Sequence, residues 1–234
     1  MLGGIIVLLF SGNARVAAES WVMPATPLPM DKLFKELCYV RSPDRVRPKA
    51  GHWPRDIEYQ RRVIDYRNDS FKVESKTFRL ARPPQKIIPH AVGITEILWA
   101  ICPRERLLMF NTVAADPRFS MIANELAATG KIFSPKESEL IIAAQPDLVL
   151  TVIFSDAVFK QRLKQAGIPT LDLGSPDSLA SVVKEIKLLG EILDESGNAE
   201  ALLQIISRKQ ALLQAALPKR NKPLRLLYYD CLLY

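Results

Sequence analysis

The stretch that decides the fold is KIIPHAVGITEILWAI, residues 86–101. Its first part, Lys86–Ile88, is a short apolar run that predicts a buried strand. Apolar residues then recur with the spacing of one helical face, at Ile94, Ile97, Leu98 and Ile101. Because Pro103 cannot continue a helix, we expect this one to end there. The stretch therefore predicts a strand, a short loop and a helix, in that order.

The same alternation continues through the rest of the chain. Further strands are predicted at Leu107–Phe110, Asp147–Val152 and Thr170–Leu173. Helices are expected to begin at Ser134, where Glu137 completes a capping box, at Ser155 or Asp156, at Ser175-Pro176-Asp177, and near Ala199. Strands that alternate with helices are typical of a parallel sheet. We predict an α/β lobe of parallel βαβ units, then a long helix to about Leu217 and one more strand at Leu224–Tyr229.

Composition indicates a globular chain of one or two domains. Of 234 residues, 48% are apolar and 24% charged, and no apolar run is long enough for a membrane span. The net charge of +7 lies wholly in the first 90 residues, because 16 basic and 16 acidic residues balance in the remainder. We divide the chain into residues 1–18, 19–84, 85–194, 195–218 and 223–234. These are a signal peptide, a basic Pro-rich segment, the first α/β lobe, a bridging helix and the start of a second lobe.

The amino terminus resembles an export signal. Leu2–Phe10 is an apolar run of the length of a signal core, and small residues at Val16 and Ala18 fit cleavage after Ala18. No Lys or Arg precedes the run, so the basic start of a signal is missing, and a buried strand is the alternative. The signal interpretation predicts a periplasmic protein.

In the basic segment, residues 19–84, aromatic side chains are interleaved with Lys and Arg. That pattern can bind single-stranded nucleic acid or an anionic surface. The alternative is an extended segment with short strands at Val63–Tyr66 and Phe71–Val73. We favour the second interpretation, because no known nucleic-acid-binding motif accompanies the charge.

The familiar catalytic and metal motifs are absent. No phosphate-binding glycine loop, nucleophile elbow or zinc-protease motif occurs, and two histidines, His52 and His90, cannot make a three-histidine site. His90 follows the first strand, where α/β folds place ligand loops, but we expect a solvent-facing loop residue. An α/β enzyme that uses carboxylates at strand ends stays open as a third hypothesis, without any visible catalytic pair.

Four motifs in a fixed order resemble the periplasmic binding proteins of iron-siderophore, haem and vitamin B12 ABC importers. They are the opening stretch at 86–98, SELIIAAQPDLVL at 138–150, GIPT at 167–170 and RLLYYD at 225–230. The resemblance implies two α/β lobes joined by a long helix, with the ligand held between the lobes. Such a protein is not an enzyme. It has no cofactor of its own, although its ligand carries iron or cobalt, and it delivers the ligand to a permease in the inner membrane.

The resemblance also implies which residues act. Ligand contacts are expected in four loops, at Ala91, Val92, Gly93, Val113, Arg118, Phe133 and Phe154. Phe133 matches an aromatic position of the B12-binding relatives, whereas Val113 replaces a second aromatic residue. Arg118 is placed to meet an anionic siderophore or a haem propionate. Glu139 matches the glutamate that docks on the permease.

The resemblance further implies a monomer that does not bind nucleic acid. Relatives continue for roughly another hundred residues, so we expect a chain cut soon after its second lobe begins. The alternative function is a cytoplasmic α/β domain whose basic front, residues 19–84, binds nucleic acid.

Overall fold

The computed structural model describes residues 52–65, 70–176 and 178–216. The predicted signal peptide and the strand at 224–229 lie outside these residues. The described residues contain seven strands: β1 (Arg55–Asp65), β2 (Ser70–Leu80), β3 (Ile87–Pro89), β4 (Phe110–Asn111), β5 (Ile132–Phe133), β6 (Leu148–Thr151) and β7 (Thr170–Asp172). The α-helices are α1 (Val92–Ile101), α2 (Ala123–Ala128), α3 (Ser138–Ala143), α4 (Ala157–Gln165), α5 (Leu179–Leu193) and α6 (Ser196–Ala216).

The centre of the lobe is a parallel sheet, as predicted. β6 lies between β3 and β7, and β4 pairs with β5, each pair parallel. The segment that leads into β4 runs beside β3, since Leu107 bridges Ile87 and the Leu108 N–H donates to the Ile87 carbonyl at 3.0 Å. The strands therefore follow the order β5-β4-β3-β6-β7. The α/β fold class is confirmed.

A long hairpin extends this sheet at its β7 edge. β1 and β2 are antiparallel over 11 residues each, much longer than the short strands predicted at Val63–Tyr66 and Phe71–Val73. β1 reaches the sheet through a bridge between Arg62 and Gly174. Gly174 has φ +79°, and a Cβ there would lie 2.5 Å from the Arg62 carbonyl oxygen. Glycine is thus required where the hairpin joins the lobe.

Several helices begin later or earlier than predicted. The turn at Ser134 is not helical: the Ser134 N–H donates to Glu137 Oε2 at 2.5 Å, but α3 begins only at Ser138. The capping box of α5 is formed by Ser178 and Ser181 rather than by residues 175–177. Asp156 caps α4, accepting from the Phe159 N–H at 2.8 Å. α6 starts at Ser196, three residues before the predicted start.

Two hydrophobic cores lie on opposite faces of the sheet. Ile87, Leu148, Leu150 and Leu171 pack with α1, α5 and α6, whereas Ile88 and Val149 pack with α3 and α4. Successive strand residues therefore point to opposite helical layers, as strand geometry requires. Within the described residues, no helix combines the length and apolar character needed to cross a membrane.

Candidate functional site at the carboxyl edge of the sheet

All parallel strands of the lobe end at one edge, where their loops meet. In open α/β sheets ligands bind outside the carboxyl ends of the strands. The residues predicted to contact ligand lie in, or directly beside, the loops that follow β3, β4, β5 and β6. This edge is therefore the candidate site.

His90 lies at the centre of the edge and is buried, with 6% of its surface exposed. Its ring Nδ1 lies 3.0 Å from Ser155 Oγ, and its Nε2 lies 2.9 Å from the Pro135 carbonyl oxygen. The Asn111 Nδ2 amide donates to the His90 carbonyl at 2.5 Å. The expectation of a solvent-facing histidine is wrong, because this residue joins the loops after β4, β5 and β6.

The His90 ring stacks on Phe159, with centroids 4.2 Å apart, and lies near Phe133 at 6.1 Å. Burial lowers the pKa of His90 below 6.5, and the nearby Lys160 ammonium lowers that pKa further. The Pro135 carbonyl and the Asp156 carboxylate act in the opposite direction, raising the pKa, but do not prevail. The ring is consequently neutral near pH 7.

The first predicted loop opens helix α1. Ala91 and Val92 are half-buried, and the Ala91 carbonyl accepts from both the N–H and the hydroxyl of Thr95. Gly93 is exposed, and a Cβ built on it would have no atom within 4 Å. A ligand can therefore approach the backbone closely at Gly93, as the prediction requires.

The second loop, after β4, presents an ion pair and two apolar side chains. Arg118 is exposed but is held by Asp116, with its Nη2 2.5 Å from Asp116 Oδ2. This guanidinium lowers the pKa of Asp116 to about 2. Phe119 and Met121 are 60% and 75% exposed. Val113 is half-buried.

Glu96 of α1 fixes the end of this loop. Its Oε1 accepts from the Ser120 hydroxyl at 2.8 Å and from the Met121 N–H at 3.1 Å. Sequence reasoning missed Phe119 and Met121. The available signal was the pair of apolar residues on either side of Ser120, directly after Arg118.

The two aromatic residues predicted to contact the ligand, Phe133 and Phe154, differ in their exposure to solvent. Phe133 is 1% exposed and packs in the second core with Ile141 and Phe159, so its ring does not face the edge. The prediction of a ligand-stacking Phe133 is therefore corrected: it is a core residue. Phe154, in the loop after β6, is 71% exposed.

Glu139 lies in the first turn of α3 and its side chain is 75% exposed. Its Oε1 lies 2.6 Å from Arg162 Nη1. The pKa of Glu139 is lowered, first by its own backbone N–H and then by the Arg162 charge. An ionised, exposed carboxylate already paired with one arginine suits contact with a second cation.

Metal-binding clusters and surface grooves are the other features that could form a site. Among the residues that the structure describes, no group of three or more His, Cys, Asp or Glu side chains could hold a metal ion. A groove of about 680 Å³ lies between the hairpin and α5, and Tyr59, Arg61 and Glu185 are among its lining residues. None of the predicted ligand contacts lines that groove.

The chain is similar to known proteins over part of its sequence and in its fold. The family model described as periplasmic binding protein matches residues 119–231. No curated protein matches the sequence.

Three solved structures are similar in fold. Holo-ViuP has a TM-score of 0.52 and 20% identity, over 73% of this chain and 54% of that one. A possible iron-binding (periplasmic solute-binding) protein from Staphylococcus epidermidis has a TM-score of 0.51 and 22% identity, over 60% of this chain and 54% of that one. A TroA-like periplasmic binding protein from Xylanimonas cellulosilytica has a TM-score of 0.51 and 18% identity, over 69% and 54%.

The chain spans about half the length of these structures. Over residues 119–231 this chain is similar in sequence to the periplasmic binding proteins, and the described lobe is similar to them in fold.

Proposed function

We propose that the chain is the solute-binding component of an ABC importer that captures a metal chelate, a ferric siderophore or a haem, outside the inner membrane. The ligand rests on the carboxyl edge of the described lobe. Exposed Phe154 is the observation that carries this proposal, because an aromatic ring held in water at this edge lacks a packing partner. The metal belongs to the cargo and not to the protein.

The edge combines apolar surface with few charges. Phe119, Met121 and Phe154 are exposed there, and the Arg118–Asp116 pair lies beside Phe119. Ligand sites of this kind are mostly apolar, with a few polar groups that set orientation. A planar or aromatic chelate with peripheral carboxylates fits such a surface. Val113 offers less stacking surface than an aromatic residue, which favours haem or a siderophore over cobalamin.

The alternative, a nucleic-acid-binding basic front, receives less support from the hairpin. Six basic side chains of the hairpin and of the segment that follows it lie 2.8–3.8 Å from carboxylate oxygens of Asp56, Glu74, Asp147, Asp172 and Asp194. The residues so paired are Arg55, Arg61, Lys72, Lys76, Arg79 and Arg82. Charges that are paired with carboxylates attract phosphates less.

Calorimetric titration of the whole chain with haemin and with a ferric hydroxamate tests the proposal. We expect at least one probe to bind, and Phe154→Ser to weaken that binding roughly fivefold to tenfold, since one stacked aromatic contributes about 1 kcal/mol. Leu213→Ser, which removes an exposed apolar side chain on α6, outside the loops of this edge, is the control. Binding that Leu213→Ser weakens as much as Phe154→Ser would contradict the proposal.

We also propose that Glu139 docks on the permease. A charge at the rim of an interface chiefly changes the association rate, so Glu139→Arg should slow capture by permease-containing proteoliposomes about tenfold. Glu200→Arg makes the same charge change at an exposed site on α6 and serves as the control. Equal capture of Glu139→Arg and the unmodified chain would remove Glu139 from the interface.

A further inference from the structure

His90 contacts the ends of three strands besides its own. Its N–H donates to the Leu150 carbonyl of β6 at 2.8 Å, and its carbonyl accepts from Asn111 at the end of β4. Its ring reaches Pro135, after β5, and Ser155, after β6. Because β3 is the central strand, one side chain can connect neighbours on both sides.

The partners fix where the ring proton lies. A carbonyl oxygen can only accept, so Nε2 carries the hydrogen that is donated to Pro135. Nδ1 is then the acceptor, and the Ser155 hydroxyl donates to it. Ser155 Oγ in turn accepts from the Val152 N–H at 3.1 Å. Each of these groups is satisfied only when His90 is neutral.

We propose that His90 is a positioning residue whose neutral ring latches the loops after β5 and β6, and that acidification releases the β6 loop carrying Phe154. When Nδ1 gains a proton, the Ser155 hydroxyl loses its acceptor, and Oγ must accept from both Nδ1 and Val152. Opening of the loop lets the charged ring reach water. The consequence for ligand capture rests on the proposed function, whereas the latch itself does not.

The surroundings of the ring favour the neutral state. Phe133 and Phe159 supply apolar contacts, and burial is the first cause of the lowered pKa of His90. The charged groups acting on the ring are Lys160 of α4, which opposes protonation, and Asp156 at its cap, which favours it. If the open loop restores an ordinary histidine, its opening constant rises about tenfold per pH unit between 6.5 and the lowered pKa.

Histidine-selective NMR tests the latch directly, because the chain contains only His52 and His90. The full chain is labelled with ¹⁵N-histidine, and His52→Gln assigns the two signals. We expect His90 to show the Nε2–H tautomer and to titrate below pH 6.5. The Nδ1–H tautomer, or a titration at or above pH 6.5, would overturn the proposal.

Amide hydrogen exchange measures the release. We expect exchange of the Val152 N–H, corrected for intrinsic rate, to speed up roughly tenfold per pH unit as the pH falls from 6.5. His90→Gln, which removes the titrating ring, should abolish this pH dependence, while Ser75→Ala, an exposed serine on β2, should keep it. Exchange that does not change with pH in the unmodified chain, or an unchanged pH dependence in His90→Gln, would contradict the latch.

A haemin titration at pH 7 and pH 5.5 then connects the latch to capture. If the latch controls capture, the affinity for haemin falls at pH 5.5 in the unmodified chain and falls less in His90→Gln. If haemin and the ferric hydroxamate both fail to bind at pH 7, the proposed function fails, yet the NMR and exchange results still decide the latch. If haemin binds equally well at both pH values, release of the Phe154 loop has no role in capture.

Discussion

At the scale of single residues, Glu185 is a carboxyl whose pKa is strongly raised by its surroundings. It lies half-buried on α5 in the groove beside the hairpin, and burial raises its pKa to about 7. The folded protein therefore holds a proton that the unfolded chain releases above pH 4.5. Because the folded state binds more protons between pH 4.5 and 7, stability falls as the pH rises through this window.

We expect Glu185→Gln to remove the loss of stability that occurs as the pH rises. Relative to the unmodified protein, the variant should gain roughly 2 kcal/mol in unfolding free energy between pH 4.5 and pH 7, as the pKa shift requires. Urea denaturation across this range provides the measurement. Glu191→Gln, an exposed carboxyl on the same helix, is the matched control.

His90 changes the unfolding free energy with pH in the opposite direction. Its pKa is lowered in the folded state, so the unfolded chain binds its proton first, and stability is lost as the pH falls below 6.5. The comparison between Glu185→Gln and the unmodified protein separates the two effects, because both proteins retain His90. Equal pH slopes in the two proteins would show that Glu185 ionises normally.

Burial also explains what sequence reasoning missed at this scale. Phe133 and Phe154 are both aromatic residues in predicted loops, yet one is 1% and the other 71% exposed. The difference depends on α3 and above all on α4, whose Phe159 and Leu163 pack in the same core as Phe133 although they lie more than twenty residues further along the chain. A local pattern cannot show which loop residue a distant helix covers.

At the scale of elements, the closest crossing joins α5 and α6. A Cβ on Gly190 would lie 2.5 Å from the Ala199 Cβ and 3.2 Å from the Ser196 Cα. Only glycine permits this approach, because neither neighbour is a flexible side-chain end. The buried Arg106–Glu195 pair, 3.0 Å apart, ties the same junction to the segment before β4.

We therefore expect Gly190→Ala to destabilise the protein by about 1–3 kcal/mol through overpacking. Thermal or urea denaturation measures the loss. Gly93→Ala is the control, because nothing lies within 4 Å of its added Cβ. A Gly190→Ala variant as stable as Gly93→Ala would show that the two helices do not pack this closely.

Helices and strands with a local periodic pattern were predicted well, whereas those that depend on pairing with other segments were not. The α1 face, the β6 run and the long α6 helix follow from periodicity, which is local. The helix start predicted at Ser134 is wrong, because the hydrogen bond between Ser134 and Glu137 closes a turn and α3 begins only after that turn. The short strand β5 forms by pairing with β4, which precedes it by some twenty residues, so two apolar residues alone do not predict it.

At the scale of the whole molecule, the hairpin is attached to the lobe beside β7. Besides the bridge at Gly174, Arg61 Nη1 lies 3.1 Å from Asp172 Oδ2 of β7, and Arg55 Nη2 lies 2.8 Å from Asp194 Oδ1 after α5. The sequence division at residue 84 missed this, since contacts across more than one hundred residues leave no local pattern. The α/β class, the parallel sheet and the family resemblance were predicted correctly.

The central claim is that the carboxyl edge of this lobe is a wall of the chelate-binding site. Amide chemical shifts of the ¹⁵N-labelled chain, titrated with the diamagnetic gallium(III) complexes of protoporphyrin and of a hydroxamate siderophore, test it most directly. We predict that the largest shifts fall at residues 91–93, 112–121 and 152–156. Shifts concentrated in the groove between the hairpin and α5, or no shift with either complex, would contradict the account.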